Sequence, residues 1–182
     1  MKALRYTTTE YASKISRHFQ LLNGWKELHH EVELGVVIGK EGACISEAAA
    51  MDHVAGYCLA LDMTARTLQS ELKSKGLPWA LSKGFDTSCP VSEFIEKERV
   101  ENPHDVDIWL RVNDEMRQDS NTRNMIFSLP FLVSYVSRFF TLEPGDLLLT
   151  GTPEGVGPVR DGDVITCGLK GLVEMSFKVS SG

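Results

Sequence analysis

Glu31-Val-Glu-Leu-Gly-Val-Val-Ile-Gly39 is rich in β-branched residues and alternates acid with apolar at its start. That pattern predicts a strand, ended by Gly39. Outward from it, Ser46-Glu-Ala-Ala-Ala-Met-Asp predicts a short helix with Ser46 as its N-cap. Residues 56–62 predict a second strand. Thr64 is then expected to cap a helix over residues 65–75, closed by Gly76 and Pro78. Residues 108–112, Asn113-Asp114 and residues 116–118 predict a hairpin. Ser128-Leu-Pro130 opens a helix expected to run to Phe140, with Pro130 in its tolerated first turn. Residues 146–150, 163–167 and 173–179 predict late strands, the last two joined at Lys170-Gly171. There is no internal repeat and no low-complexity tract. Many strands with three short helices predict an α+β protein with a mixed β core, not a regular βαβ alternation.

The chain has 182 residues, 42% of them hydrophobic and 24% charged, enough for one domain with a real core. Its most apolar stretch, near residues 48–63, is interrupted by Asp52, His53 and Asp62, so no membrane span is expected. A net charge of −6 argues against a nucleic-acid partner. Cys44, Cys58, Cys89 and Cys167 form no C-x-x-C pair. They are expected to be small buried hydrophobes in a reducing compartment rather than zinc ligands or a redox pair.

The N-terminus differs from the rest. Its first 26 residues carry Lys2, Arg5, Lys14, Arg17 and Lys26 against Glu10 alone, while the remainder holds 14 basic and 24 acidic residues. This composition is weakly like an organelle transit peptide. It reads equally as a surface helix over residues 10–22, with Tyr11, Ile15, Phe19 and Leu22 as its apolar stripe. No apolar run of the secretory kind follows the lysines.

Glu31 and Glu33 share a face if their strand is extended. Two acids there describe either a solvated strand or ligands of a hard divalent cation, which takes oxygen donors. Asp62 ends an otherwise apolar strand where the chain turns, a common place for ligands and catalysts. Three carboxylates without a nearby cysteine point to Mg²⁺ or Mn²⁺ rather than zinc. Arg66 and Gln69 lie three apart on a predicted helix and share a face. Lys83 lies in a segment with turn chemistry at Gly84 and Pro90. Residues 150–157 follow an apolar strand; their glycines permit close backbone approach to a ligand and their hydroxyls suit a carboxylate, though no Walker ending is present.

His29-His-Glu-Val-Glu-Leu-Gly35, Leu61-Asp-Met-Thr-Ala-Arg66, Lys83-Gly-Phe-Asp-Thr87 and Leu149-Thr-Gly-Thr-Pro153 resemble, in order and spacing, the motifs of the fumarylacetoacetate hydrolase family. The resemblance covers roughly residues 28–180. It implies a mixed β-roll with short flanking helices, residues 28–182 as the catalytic domain, residues 1–27 as a divergent N-terminal segment, and a homodimer. It places the metal triad on Glu31, Glu33 and Asp62, for Mg²⁺ with Mn²⁺ possible. It assigns catalytic roles to Lys83 and Gln69 and substrate-binding roles to Arg66 and Thr152. The implied reaction is metal-dependent cleavage of the C3 bond of 2-keto acids through a pyruvate enolate, as acylpyruvate hydrolysis or oxaloacetate decarboxylation. A keto–enol tautomerase or related isomerase is the first alternative; an inactive shortened isoform that dimerises or only binds metal is the second. The implied compartment is mitochondrial, with the cytoplasm as alternative.

One departure matters. Family members carry an Asn-Tyr-Ala-x-His lid motif and a Phe-x-Lys-Pro strand ahead of the first metal glutamate. Tyr11-Ala-Ser-Lys-Ile has lysine where that histidine is expected, and the strand has no counterpart. The N-terminus is therefore expected to be altered or shortened. Neither His18 nor His29 fits the lid by spacing, His30 is expected to point off the metal face, and His53 and His104 have no motif support. Because hydrolysis needs an activated water and decarboxylation does not, the departure predicts that decarboxylation is better kept.

Overall fold

The structure is a computed structural model that describes residues 3–5, 18–21 and 27–181. In chain order its strands are β1 (Ala3–Arg5), β2 (His18–Leu21), β3 (Leu28–His30), β4 (Val32–Ile38), β5 (Val54–Leu61), β6 (Thr64–Ala65), β7 (Ile95–Glu96), β8 (Asp107–Val112), β9 (Glu115–Asn121), β10 (Asp146–Leu149), β11 (Gly157–Val159), β12 (Val164–Leu169) and β13 (Val173–Ser181). The α-helices are α1 (Arg66–Ser74), α2 (Ala80–Lys83) and α3 (Leu129–Ser137). Two five-stranded sheets run in the orders β1-β10-β4-β5-β7 and β2-β13-β12-β8-β9, and a three-stranded sheet runs β11-β3-β6. Every pairing is antiparallel except β2 on β13. The α+β class and the β-roll architecture match the expectation.

The strand expected over residues 31–39 is broken at its first residue. β3 pairs with β11 and β6, whereas β4 pairs with β10 and β5. Glu31 is the seam where the chain passes from one sheet to the other. Beyond it, β4 is buried along its whole length because both faces are covered. Val32, Leu34, Val36 and Ile38 face the main core, which also holds Tyr57, Leu59, Leu61 and Leu110. Val37 faces a smaller cluster with Cys58, Ala60, Leu147 and Leu149.

The local signals mostly act as expected. The Ser46 hydroxyl accepts the Ala49 N–H and caps a 3₁₀ helix over Glu47–His53. The Ser128 hydroxyl accepts the Phe131 N–H at the start of α3. Asn113 and Asp114 both adopt positive φ, 50° and 66°, as a two-residue hairpin turn requires. Gly76, at φ 64°, ends α1 by donating to Lys73 while Leu77 donates to Leu72.

Four expectations are corrected. Thr64 does not cap α1: it lies in β6, Ala65 precedes the helix without a side-chain cap, and the Thr64 hydroxyl is turned to Glu31 instead. α3 stops at Ser137, three residues before Phe140. Cys44 is exposed, whereas Cys58 and Cys167 are buried in apolar surroundings that push their thiols up. Residues 18–21 form a strand, not part of a helix; parallel pairing with β13 satisfies their backbone instead. Tyr11, Ile15 and Leu22 of the expected stripe lie outside the described residues. Among the described residues, no helix is long and apolar enough to cross a membrane.

Candidate active site

The register of β4 on β5 builds an acidic cluster. Val32 lies opposite Leu61, and Glu33 opposite Ala60. One step further out, the Asp62 N–H donates to the Glu31 carbonyl at 2.9 Å, so Asp62 stands opposite Glu31. Opposed residues share a face, as do residues two apart on one strand. Glu31, Glu33 and Asp62 thus converge, with one carboxylate oxygen from each within 4.8 Å of the others. Glu33 and Asp62 are buried and Glu31 is half-buried.

Carboxylates this close repel one another unless positive charge intervenes. Lys83, the last residue of α2, places Nζ 2.9 Å from Glu31 Oε2 and 2.8 Å from Asp62 Oδ2. Arg66, the first residue of α1, places Nη2 3.0 Å from Glu31 Oε1, and the Thr64 hydroxyl donates to the same oxygen at 2.9 Å. Burial works to lower the Lys83 ammonium's affinity for its proton. The hydrogen bonds and charges of Asp62 and Glu31 outweigh it and hold the group above the usual lysine range.

Glu33 has a different environment. Its Oε2 accepts the Gly151 N–H at 2.6 Å. Burial pushes its carboxyl up to about 7; Asp62 and Glu31 add to that, while the Gly151 bond and Lys83 oppose it.

The donor set fits a hard divalent cation. Every candidate ligand is a carboxylate oxygen, and Asp62 Oδ1 is buried without a hydrogen-bond partner. An anionic oxygen removed from water is costly unless a cation or donor meets it. Such oxygen donors suit Mg²⁺ or Mn²⁺.

The other expected site residues fall around this cluster. Arg66 Nη1 donates to Gln69 Oε1 at 2.6 Å, and its Nε donates to His29 Nδ1 at 3.2 Å. Gln69 therefore reaches the carboxylates through Arg66. The Thr152 hydroxyl donates to the Val32 carbonyl at 2.8 Å and accepts from Gln118 Nε2 at 2.8 Å. Its proton is thus directed inward, and the expected hydroxyl bond from Thr152 to a substrate carboxylate is not what this geometry offers. A cavity of about 600 Å³ lies along the same loop, lined by Leu34, Met125, Phe127, Thr152 and Pro153 among others.

Sequence reading missed Thr64, Gly151, Gln118 and the short helix that delivers Lys83. The sequence predicts a cap at Thr64, and Gly151 acts through its backbone. Gln118 lies in a polar strand with no signal of burial. His30 does point off the metal face: its Nδ1 meets Gln118 Oε1 at 3.0 Å, and burial holds the ring below the usual histidine range. His104, which had no motif, accepts the Leu129 N–H at the start of α3 through Nε2. The lid echo at residues 11–15 lies outside the described residues.

Known proteins are similar to this chain in sequence and in fold. The oxaloacetate tautomerase FAHD1 of Mus musculus is 60% identical over 154 residues, covering 85% of this chain and 70% of that protein. The oxaloacetate decarboxylase of Dictyostelium discoideum is 53% identical over 154 residues, covering 84% and 71%. The crystal structure of fumarylpyruvate hydrolase from Pseudomonas aeruginosa, in complex with Mn²⁺ and pyruvate, superposes with a TM-score of 0.85 at 41% identity, covering 91% of this chain and 70% of that one. The fumarylacetoacetate hydrolase C-terminal domain matches residues 7–180. With that match over nearly its whole length, an α+β fold in common and an acidic cluster at the expected motifs, the chain belongs to the fumarylacetoacetate hydrolase family.

Proposed function

We propose that this chain is a divalent-cation-dependent enzyme that cleaves the C3 bond of 2-keto acids through a pyruvate enolate, by oxaloacetate decarboxylation and acylpyruvate hydrolysis. The observation that carries the reading is the convergence of Glu31, Glu33 and Asp62 within 4.8 Å, with Asp62 Oδ1 buried and unpartnered. These three residues would hold Mg²⁺, or Mn²⁺ as in the Pseudomonas structure, and the bound cation would supply Lewis acidity toward the keto acid.

The chain's own residues do the rest. Lys83 brings a fixed positive charge to the carboxylate cluster, where it stabilises negative charge as the enolate develops. Arg66 presents a guanidinium at the start of α1 and anchors the substrate carboxylate. Gln69 orients Arg66 and is placed to hold a carbonyl or water. Thr152 contributes by setting the loop backbone against the carboxylates, not by donating its hydroxyl proton. All of these lie in residues 28–182, which we take as the catalytic unit; residues 3–5 and 18–21 add edge strands to its sheets.

A second reading, keto–enol tautomerisation of oxaloacetate, is supported by the Mus musculus relative. One experiment separates the two. Oxaloacetate is incubated with the protein and Mg²⁺ or Mn²⁺, and keto–enol conversion and pyruvate release are followed together. Cation-dependent pyruvate release, absent in Glu33→Ala, supports cleavage; fast interconversion without pyruvate supports the tautomerase. Cation-independent behaviour in both assays overturns the metal reading. An acylpyruvate in parallel tests whether decarboxylation is kept better than hydrolysis.

Phe127, just before α3, stacks on Phe131, and Phe131 on Tyr135, with centroid spacings of 4.7 and 5.8 Å; Phe139, just past the helix, meets Tyr135 edge-on at 5.4 Å. Ile126 and Phe139 are 91% and 66% exposed beside it. An aromatic strip of this kind suits burial against a second copy of the chain. The Mus musculus and Dictyostelium relatives are mitochondrial by name, which supports that compartment over the cytoplasm.

A further inference from the structure

We propose that Gln118 is a positioning residue, a single buried amide that fixes the Thr150–Pro153 turn against the carboxylate strand. The role of that turn toward a substrate rests on the function proposed above; the clamp itself rests on geometry alone.

The hairpin is built to deliver this side chain. Val112 faces Glu115 and Arg111 faces Met116, but Leu110 then faces Gln118, so Arg117 has no partner across the ladder. In uninterrupted pairing Arg117 would stand opposite Leu110, which points into the core. The bulge turns Arg117 out to solvent and Gln118 in, to complete burial. Bulges beside functional sites re-aim side chains in this manner. Nothing else in the strand explains why one polar residue of Glu115–Asn121 is fully buried.

Once inside, the amide is saturated. Its Oε1 accepts from the Val32 N–H at 3.2 Å and from His30 Nδ1 at 3.0 Å. Its Nε2 donates to Thr152 Oγ1 at 2.8 Å and to the Pro153 carbonyl at 3.0 Å. The Val32 N–H only donates and the Pro153 carbonyl only accepts, so the amide has one orientation. His30 must then carry its proton on Nδ1, and Thr152 must give its own proton to Val32. Gln118 thus ties the residues on both sides of Glu31 to two successive residues of the turn.

A third observation places the turn on the bulge. Gly155 adopts φ +93°, and a Cβ there would lie 1.9 Å from the Arg117 carbonyl oxygen. Only a glycine lets the backbone approach the bulge this closely. The neighbouring Gly151 N–H is the group that meets Glu33. A turn released from Gln118 would therefore loosen at Thr152 and Gly151, while Glu31 and Asp62 keep their own contacts with Arg66 and Lys83.

The test uses Gln118→Glu, which keeps the acceptor toward Val32 and His30 but loses both donors to the turn, and Gln118→Met, which loses both sides. In folded Mn²⁺-loaded protein, Gln118→Glu is expected to raise KM for oxaloacetate and weaken pyruvate binding by ~10- to 100-fold. Its Mn²⁺ affinity is expected to fall by about tenfold, the low end of what a lost outer partner costs, because the Gly151 bond to Glu33 loosens while the carboxylates themselves remain. Amide hydrogen exchange is expected to quicken across residues 150–157 and at Val32 in Gln118→Met, and across the turn alone in Gln118→Glu. Unchanged KM, pyruvate affinity and turn exchange in a folded variant would overturn the proposal. So would a uniform rise in exchange with no KM effect, the mark of a purely structural residue. If the parent chain neither binds pyruvate nor turns over oxaloacetate, the functional reading fails, yet the exchange pattern still decides whether Gln118 holds the turn.

Discussion

The candidate site has two walls, held by different forces. One is charged: Glu31 and Asp62 are gripped by Lys83 and Arg66, at 2.8 to 3.0 Å. The other is built of neutral groups: Thr152 and Pro153 are held by the Val32 carbonyl and the Gln118 amide, and the Gly151 N–H donates to Glu33. Glu33 is the one carboxylate of the trio that faces the neutral wall. Its burial raises its pKa, with the Gly151 N–H as a weaker opposing influence, while Glu31 shares its charge among three donors. Redundant charge contacts tolerate the loss of a partner; a saturated neutral network does not.

The comparison breaks most completely at the carboxylates. Asp62→Ala or Glu33→Ala is expected to weaken Mn²⁺ binding by more than ~100-fold and to abolish cation-dependent turnover. Calorimetric titration alongside the oxaloacetate assay checks both; retention of tight binding by either variant refutes the ligand assignment. Lys83→Met acts in the opposite sense on the two readouts. It removes a cation that competes for Glu31 and Asp62, so Mn²⁺ binding is expected to tighten, while kcat falls ~10²–10³-fold with the lost charge. A parallel fall in affinity and kcat would make Lys83 a structural tether only.

The difference between the walls also governs what the sequence reveals of them. The charged wall is legible in part: Glu31, Glu33 and Asp62 stand out against Val, Leu and Ile, but that contrast also fits a solvated strand, and only the family resemblance gives them, Arg66 and Lys83 their roles. The neutral wall is not. Gly151 contributes a backbone N–H, which has no residue type. Gln118 looks like every other polar residue of an exposed hairpin strand until the bulge at Arg117 reverses which side it faces. In the fold, caps and turns spoke locally and were read correctly at Ser46, Ser128, Gly76 and Asn113-Asp114. Glu31 misled because a continuous β-branched run gives no hint of a change of sheet. Thr64 misled because an acidic partner 33 residues away claims its hydroxyl.

pH sharpens the contrast at Glu33. In the folded chain its carboxyl titrates at about 7, above its ordinary value of 4.5. Between those limits the folded state binds more protons than the unfolded one, so the cation-free protein is expected to lose stability as pH rises through that window. Cation binding needs the ionised carboxylate. Mn²⁺ affinity should therefore rise by about tenfold per pH unit below that titration and level off above it. Affinity measured by titration across this range, with chelator-treated protein melted in parallel, checks both signs. An affinity that is flat from acid to neutral pH contradicts the buried, proton-holding Glu33.

The smallest effect tests redundancy directly. Thr64 is buried and donates to Glu31 Oε1 at 2.9 Å, the same oxygen that Arg66 meets at 3.0 Å, while Lys83 holds Oε2. Thr64→Val keeps the shape and deletes one of three donors. The expected cost is about 1 kcal/mol of stability, the usual net worth of one hydrogen bond. Because Arg66 and Lys83 still orient Glu31, Mn²⁺ affinity and KM are expected to change by less than about threefold. Gln118→Met deletes an amide of similar burial on the other wall, where no second group replaces it. If Thr64→Val disturbs KM as strongly as the Gln118 variants do, the charged wall is no more forgiving than the neutral one, and the distinction between them fails.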